Sequence, residues 1–423
     1  MEGAVDLQQL YKYYLKSSGV TTDSRKILKD QIFFALKGEN FDGNQFAVKA
    51  IEMGALLSVV DDPNLSGLPS MFYVEDVLTA MQKLANWHRQ QLTIPVIGIT
   101  GSNGKTTTKE LIKSVLSTKF EVSATVGNLN NHIGVPLTIL NSTQDTEILI
   151  VEMGANHIGE IKMLCEIADP ELGIITNIGK AHLEGFGNLE GVIKAKSELF
   201  DYVCTNEGTI MYNENLSNIP FQKYNSCRKE TFNASEFTII QEFPTIKCQY
   251  QEQIIDTQLY GSYNINNIGL AITLGKHFGL TWDNILAGIR SYAPNNNRSQ
   301  LVKIQHNQVI LDAYNANPSS MQAAIDDFGK IEHERKIIIL GDMLELGDFS
   351  ELEHESVIQF TFAKPFYKRI FIGKSFGRFK NKYKADFYLN LQDTSNKISL
   401  NEWSDALILI KGSRGMALER LIQ

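Results

Sequence analysis

The chain of 423 residues is too long for one hydrophobic core and implies two to four domains. Its 43% hydrophobic and 21% charged residues are ordinary for a globular protein. A net charge of -8 excludes a general nucleic-acid binder, which needs basic surface against phosphates, but leaves room for a local basic pocket around a small anion. Cys165, Cys204, Cys227 and Cys248 form no C-x-x-C pair and are expected as free thiols in a reducing cytosol. Residues 1–15 lack a basic stretch leading into an apolar core, so no signal peptide is expected. No run of about 18 apolar residues marks a membrane span. The expectation is a cytoplasmic protein with no membrane insertion.

In chain order, a first block runs to about Leu92. It holds an amphipathic start, a turn at residues 21–25, a strand at 31–36 closed by Lys37 and Gly38, and a helix at 79–91 with Met81, Leu84 and Trp87 at helical spacing. The second block opens at Pro95. Residues 96–100 read as a short apolar strand entering a glycine turn, and Leu111, Ile112, Val115 and Leu116 form one stripe of the helix that follows. Further strands at 148–152 and 172–176 alternate with helical stretches, the pattern of a parallel, doubly wound sheet. Residues 293–297, Ala-Pro-Asn-Asn-Asn, signal a linker and a candidate hinge. Beyond it, apolar strands at 309–312, 336–341, 370–373 and 406–411 predict a second α/β unit, Rossmann-like in outline.

Residues 100–107, Thr-Gly-Ser-Asn-Gly-Lys-Thr-Thr, lie between the predicted strand and helix. That context suits phosphate binding: backbone N–H groups of a glycine turn and the positive end of a helix surround the oxygens. Gly101, Ser102, Asn103, Gly104, Lys105, Thr106 and Thr107 make the loop, with Lys105 in reach of the β and γ phosphates and the Thr106 hydroxyl available to Mg²⁺. Ile99 stands where the common phosphate loop begins with Gly, so this loop is a short form. Downstream, Glu152 closes a strand and His182 follows the end of another. In an open parallel sheet such residues line the ligand crevice, so both are expected to face the γ-phosphate, Glu152 as an oxygen ligand of Mg²⁺ and His182 as a ligand of a second ion. Lys196 shares a helix with Lys194, and spacing alone reads it as a solvated lysine.

These motifs together resemble the Mur ligases, whose phosphate loop is also short, and among them the type that adds D-alanyl-D-alanine. The segments carrying the likeness are 128–136, 151–161, 176–187, 312–318, 340–347 and 411–416, in order along nearly the whole chain. The resemblance implies an α/β protein of three domains: a UDP-muramoyl-peptide-binding domain (1–92), a central ATP-binding ligase domain (93–294) and a C-terminal Rossmann-like domain (295–423) that closes over the site and binds the dipeptide. It implies an ADP-forming amide ligase using ATP and two Mg²⁺ ions, with Lys196 carbamylated to serve as an anionic metal ligand beside Thr106, Glu152 and His182. It assigns Lys105, Lys196, His182 and Arg298 to catalysis, Asn264 and Asn267 to the adenine side, Arg298 to the phosphates and Asp312 to the ribose. Ser24, Arg25, Glu39, Asn40, Phe41, Asn130, Asn131, Lys411 and Arg414 are implied substrate contacts. Gln45 departs from an acidic residue usual in the family. The implied substrates are UDP-N-acetylmuramoyl-tripeptide and D-alanyl-D-alanine, acted on by a monomer.

Two other readings stand beside this one. A sister ligase adding a single amino acid, including the folylpolyglutamate type, shares the phosphate loop. Against it, Ala181 precedes His182 where others tend to have Asp, and no D-N-P-R segment occurs. A nucleotide-binding module without catalysis would not need Lys105, Glu152, His182, Lys196 and Arg298 together.

Overall fold

The computed structural model describes residues 7–422 apart from 296 and 396. Residues 1–6 of the segment read for a signal peptide, and Asn296 of the expected linker, lie outside the described residues. Three sheet-centred units follow one another along the chain. No described helix is long and apolar enough to cross a membrane.

The first unit is a four-stranded parallel sheet in the order Val20–Thr21, Ile32–Phe34, Leu57–Val60, Met71–Tyr73. Alternation along Ile32–Phe34 divides its side chains between two faces. Phe33 packs with Ala47, Ala50 and Val60, while Ile32 and Phe34 join Leu10, Met81 and Leu84 in the core shared with the second unit. The helix expected at 79–91 is Val77–Arg89: Asp76 caps it by accepting from the Thr79 N–H at 2.7 Å, which moves the start two residues earlier.

The second unit is a six-stranded, all-parallel sheet, ordered Arg228–Phe232, Thr209–Asn213, Leu172–Ile175, Val96–Thr100, Ile148–Glu152, Val122–Ala124. The chain leaves Val96–Thr100 for one edge, returns beside it at Ile148–Glu152, then passes to its other side at Leu172–Ile175. Strand order reverses there, and a crevice opens at the carboxyl ends. The Leu111, Ile112, Val115 and Leu116 stripe is fully buried against Ile97 and Ile99. A three-stranded antiparallel sheet, Thr238–Gln241, Lys247–Tyr250 and Gln253–Asp256, is appended here. Its half-exposed strands are too polar to stand out in the sequence.

The free-thiol expectation is corrected for two cysteines. Cys204, near the end of the helix Leu189–Thr205, and Cys227, just before Arg228–Phe232, are joined as a disulfide with Cα atoms 5.2 Å apart. The end of the helix lies beside the start of the strand, which brings together thiols 23 residues apart in sequence. Cys165 and Cys248 are free and buried.

The third unit orders its strands Gln300–Ile304, Asn307–Asp312, Leu407–Lys411, Lys336–Gly341, Lys368–Ile372, Asp386–Tyr388, all parallel except the first pairing. In this register Asp312 and Lys411 stand side by side at two carboxyl ends.

Candidate active site

The turn between Val96–Thr100 and the helix Lys105–Leu116 forms the floor of the site. Gly101 has φ +146° and Gly104 φ +77°, and a Cβ on Gly101 would stand 2.0 Å from Thr176 Oγ1, so glycine is required there. Asn103 locks the turn. Its N–H donates to Asn177 Oδ1 at 2.9 Å, and its carbonyl accepts from Thr176 Oγ1 at 2.6 Å and Asn177 Nδ2 at 3.0 Å. The free N–H groups of the helix start give this wall a positive character. Lys105 Nζ donates to Gly101 O at 2.7 Å. Burial, reinforced by the Arg298 charge and opposed by Glu152, pushes its pKa below the usual amine range.

Glu152 ends the neighbouring strand at 1% exposure. Its Oε1 accepts from Asn130 Nδ2 at 2.8 Å and Thr106 Oγ1 at 3.2 Å, while Oε2 is buried with no hydrogen-bond partner. An open carboxylate oxygen beside a hydroxyl and a phosphate loop fits a hard divalent cation. Among the described residues no group of three or more His, Cys, Asp or Glu forms a metal cage. The fit is to Mg²⁺, which takes few protein oxygens and completes its shell with water and phosphate.

His182 opens the short helix Leu183–Phe186 at φ +52°, and its Nδ1 pairs with the carboxylate of Glu345 from the third unit. The His182 ring against it holds the Glu345 carboxyl below the usual carboxylate range. The solvated reading of Lys196 is overturned: it is fully buried, with Nζ 3.4 Å from Ala155 O and 5.2 Å from the Phe186 ring centroid. The same ring meets His182 edge-on at 6.3 Å, so Phe186 brings the two together. Burial, and then the Lys105 charge, push the Lys196 pKa well below the ordinary amine value. Lys194 is exposed. Lys196 stands on the apolar stripe of its helix, one turn from Val192, Leu199 and Phe200, and the packing of that stripe carries it inward while Lys194 faces out.

From the other side, the Arg298 guanidinium lies 3.6 Å over the Tyr314 ring, its Nε buried without a hydrogen-bond partner. Lys411 Nζ donates to Asp312 Oδ2 at 2.5 Å, and the Ser299 N–H donates to Asp312 Oδ1 at 3.3 Å. Beneath the phosphate loop, Asn267 Nδ2 donates to Asn264 Oδ1 at 2.7 Å and its Oδ1 accepts from Thr108 at 2.9 Å.

These walls enclose a cleft of about 650 Å³, lined by Ser102 to Thr107, Asn130, Asn131, Glu152, His182, Asn264, Asn267, Arg298, Asp312 and Lys411. Asn131 Oδ1 also accepts from the Gly134 N–H at 2.9 Å, where the helix Gly134–Leu140 begins. Lys196 sits behind the lining. Arg414 stands outside, 3.4 Å from Glu419 and 5.8 Å from the Tyr314 ring. Ser24, Arg25, Glu39, Asn40 and Phe41 are not brought into the cleft; they stay on the first unit, where Arg25 is paired with Asp23 at 2.8 Å. Among the residues missed as site groups are Lys109, Asn177, Tyr314 and Glu345. Lys109 lies one turn before Ile112, at the edge of the apolar stripe, a position where a lysine is ordinarily read as solvated. Glu345 lay in a quoted motif, but only the docked domains show what it meets.

Three family models match in chain order: "Mur ligase family, catalytic domain" over residues 16–97, "Mur ligase middle domain" over 99–275, and "Mur ligase, glutamate ligase domain" over 297–381. The UDP-N-acetylmuramoyl-tripeptide--D-alanyl-D-alanine ligase of Bacillus subtilis is 36% identical, covering 96% of this chain and 92% of its own. The Escherichia coli enzyme of the same name is 35% identical over the same shares. The crystal structure of MurF from Acinetobacter baumannii superposes with a TM-score of 0.86 at 27% identity, over 98% of this chain and 97% of that one. Folylpolyglutamate synthase of Mycobacterium tuberculosis shares the fold alone, with a TM-score of 0.63 at 13% identity over 81% of this chain and 93% of its own. On this evidence the chain belongs to the Mur ligase family, and its near relatives are the ligases that add D-alanyl-D-alanine.

Proposed function

We propose that this chain joins D-alanyl-D-alanine to UDP-N-acetylmuramoyl-tripeptide with cleavage of ATP to ADP and phosphate, in the cytoplasm, during peptidoglycan synthesis. The observation that carries the reading is the cleft itself, in which a phosphate loop, an open buried carboxylate and an unpartnered arginine nitrogen converge from two domains. The first unit (1–92) would hold the UDP portion through Ser24, Arg25, Glu39, Asn40 and Phe41, the middle unit (93–294) ATP, and the last (295–423) the dipeptide.

The carboxylate of the tripeptide does not react with an amine unaided, because its carbon is shielded by charge. Transfer of the γ-phosphoryl group to it gives an acyl phosphate with a good leaving group. Two anions must meet for this step, and Lys105 and Arg298 offset their repulsion and the charge that develops. Thr106 and Glu152 would hold Mg²⁺, which would supply further positive charge at the phosphates. His182 and Lys196 would hold the second ion, Lys196 as its carbamate. Carbamylation needs a neutral amine, and burial favours that form. The dipeptide amine then attacks the acyl carbon, forms the amide, loses a proton and displaces phosphate. The docked third unit keeps water from the acyl phosphate. Asp312 and Lys411 would meet the ribose and substrate.

The test is ADP release with each UDP-muramoyl peptide, with and without D-alanyl-D-alanine. The expected result is turnover only when both are present, with the tripeptide preferred. Slow release indifferent to the amine would sink the ligase reading and favour a binding module.

A further inference from the structure

The short segment after Lys336–Gly341 has no role in the chemistry described above, yet it meets the catalytic histidine. Its backbone is fixed from three sides. The Met343 N–H donates to His354 Nε2 at 3.0 Å, the Leu344 N–H donates to Ser413 Oγ at 3.0 Å, and the Glu345 carbonyl accepts from the Glu184 N–H at 3.2 Å. Glu345 is a non-glycine residue at φ +61°, a strained left-handed conformation. The outcome of that strain is a carboxylate aimed at His182 Nδ1 across the domain boundary, on the lining of the cleft. Gly347, at φ +52°, lets the same segment pass close over Glu184.

A histidine that ligates a metal has its other ring nitrogen held by a carboxylate or carbonyl, which fixes the tautomer and the ring orientation. We propose that Glu345 is a positioning residue for the metal site: it holds Nδ1–H of His182, leaving Nε2 as the ligating atom, and it does so only when the third unit is docked on the second. Metal-site assembly is thereby coupled to domain closure, because the ligand and its orienting carboxylate lie on different units. This rests on the reading of His182 as a metal ligand.

Two other contacts cross the same boundary without touching His182. Lys180 Nζ donates to Glu353 Oε1 at 2.5 Å, and Asn317 Nδ2 donates to Asn103 Oδ1 at 2.7 Å. Lys180→Ala therefore weakens docking while leaving the His182 ring partnered, and separates orientation from simple latching.

The experiment titrates Mn²⁺ into the whole enzyme with saturating ADP and inorganic phosphate, following free ion by its electron paramagnetic resonance signal. His182→Ala is expected to weaken one class of bound Mn²⁺. Glu345→Ala should weaken the same class by about 10- to 100-fold, with Glu345→Gln, which keeps an acceptor for Nδ1–H, clearly less affected. Lys180→Ala should stay within about twofold of the parent. Thermal melts check that each variant is folded. If His182→Ala weakens Mn²⁺ binding and Glu345→Ala does not, the positioning role is wrong and the ligand reading survives. If Glu345→Ala and Lys180→Ala weaken it equally, Glu345 is only a latch and the proposal is overturned. If His182→Ala itself has no effect, the ligand reading falls and the proposal falls with it.

Discussion

Lys109 Nζ lies 3.8 Å from Glu152 Oε2, with both side chains removed from solvent. The same ammonium donates to Thr125 O at 2.5 Å and Gly127 O at 3.3 Å and pairs with Glu110 at 2.9 Å. It thus ties the helix of the phosphate loop to the segment that leads to Asn130. Lys109→Met removes the charge but keeps the volume, leaving two carbonyls and a buried carboxylate short of a partner. The expected loss is about 1–3 kcal/mol of stability. Turnover should fall by more than tenfold, since Glu152 and Asn130 lose their common anchor. Urea unfolding and ADP release measure the two. Near-parental values of both would show that the lysine is a passenger.

Lys105 makes its one hydrogen bond within its own loop, to Gly101 O. Its burial lowers its pKa, so the folded state gains little from holding the charge there. Lys105→Ala is expected to leave the melting temperature unchanged or slightly raised, and to reduce ligation on the order of 10²–10³-fold, as for loss of one group stabilising transition-state charge. A folded variant with normal turnover would remove the phosphate loop from the mechanism.

His354 is fully buried, with Nε2 accepting from the Met343 N–H at 3.0 Å and Nδ1 donating to Ser350 O at 2.6 Å. The neutral ring satisfies both. Burial pushes its pKa below the ordinary 6.5, against the Ser350 hydrogen bond and the Asp342 charge. The unfolded chain therefore binds a proton more readily than the folded one. Stability from this group is whole above about pH 6.5 and is lost as pH falls below it toward the folded value. Ring chemical shifts should show a neutral Nδ1–H tautomer at neutral pH and protonation only below the ordinary midpoint. Unfolding free energy should fall on acidification less steeply in His354→Gln than in the parent. A midpoint above 6.5 would reverse the sign of the argument.

Much of this site is legible in the sequence because its parts are local. A glycine turn between an apolar strand and a helix needs only neighbours in the chain, and Glu152 and His182 follow from the rule that ligands collect at strand ends. Groups set by contacts between elements are not legible in the same way. Lys109 stands at the edge of the Ile112 and Leu116 stripe, but a lysine there reads as reaching out to solvent, and the pairing of Cys204 with Cys227 depends on how Leu189–Thr205 lies against the sheet. Glu345 belongs to the third unit, and its partner appears only when the units are docked.

Lys196 is a lysine on the buried stripe of its helix. Its amine nitrogen is enclosed beside Ala155 O and the Phe186 ring, with no carboxylate in hydrogen-bond contact. A lysine kept there without a role would be replaced by an apolar residue at little cost, since an unpaired buried charge is unfavourable. As a carbamate it becomes an anionic oxygen donor. Lys196→Ala should then bind ATP nearly normally, because Lys105 and Thr106 remain, yet lose most ligase activity. A small carboxylate in the buffer can enter the vacated space and restore part of the turnover. Lys196→Arg should not be rescued, since the guanidinium keeps a positive charge where an anion is needed. Lys194, exposed and two residues away, is the control, with Lys194→Ala expected within about twofold of the parent. Mass spectrometry under bicarbonate would show a labile addition on Lys196 alone. If the two alanine variants retain equal activity, Lys196 is a packing residue and the second ion must be held by other groups.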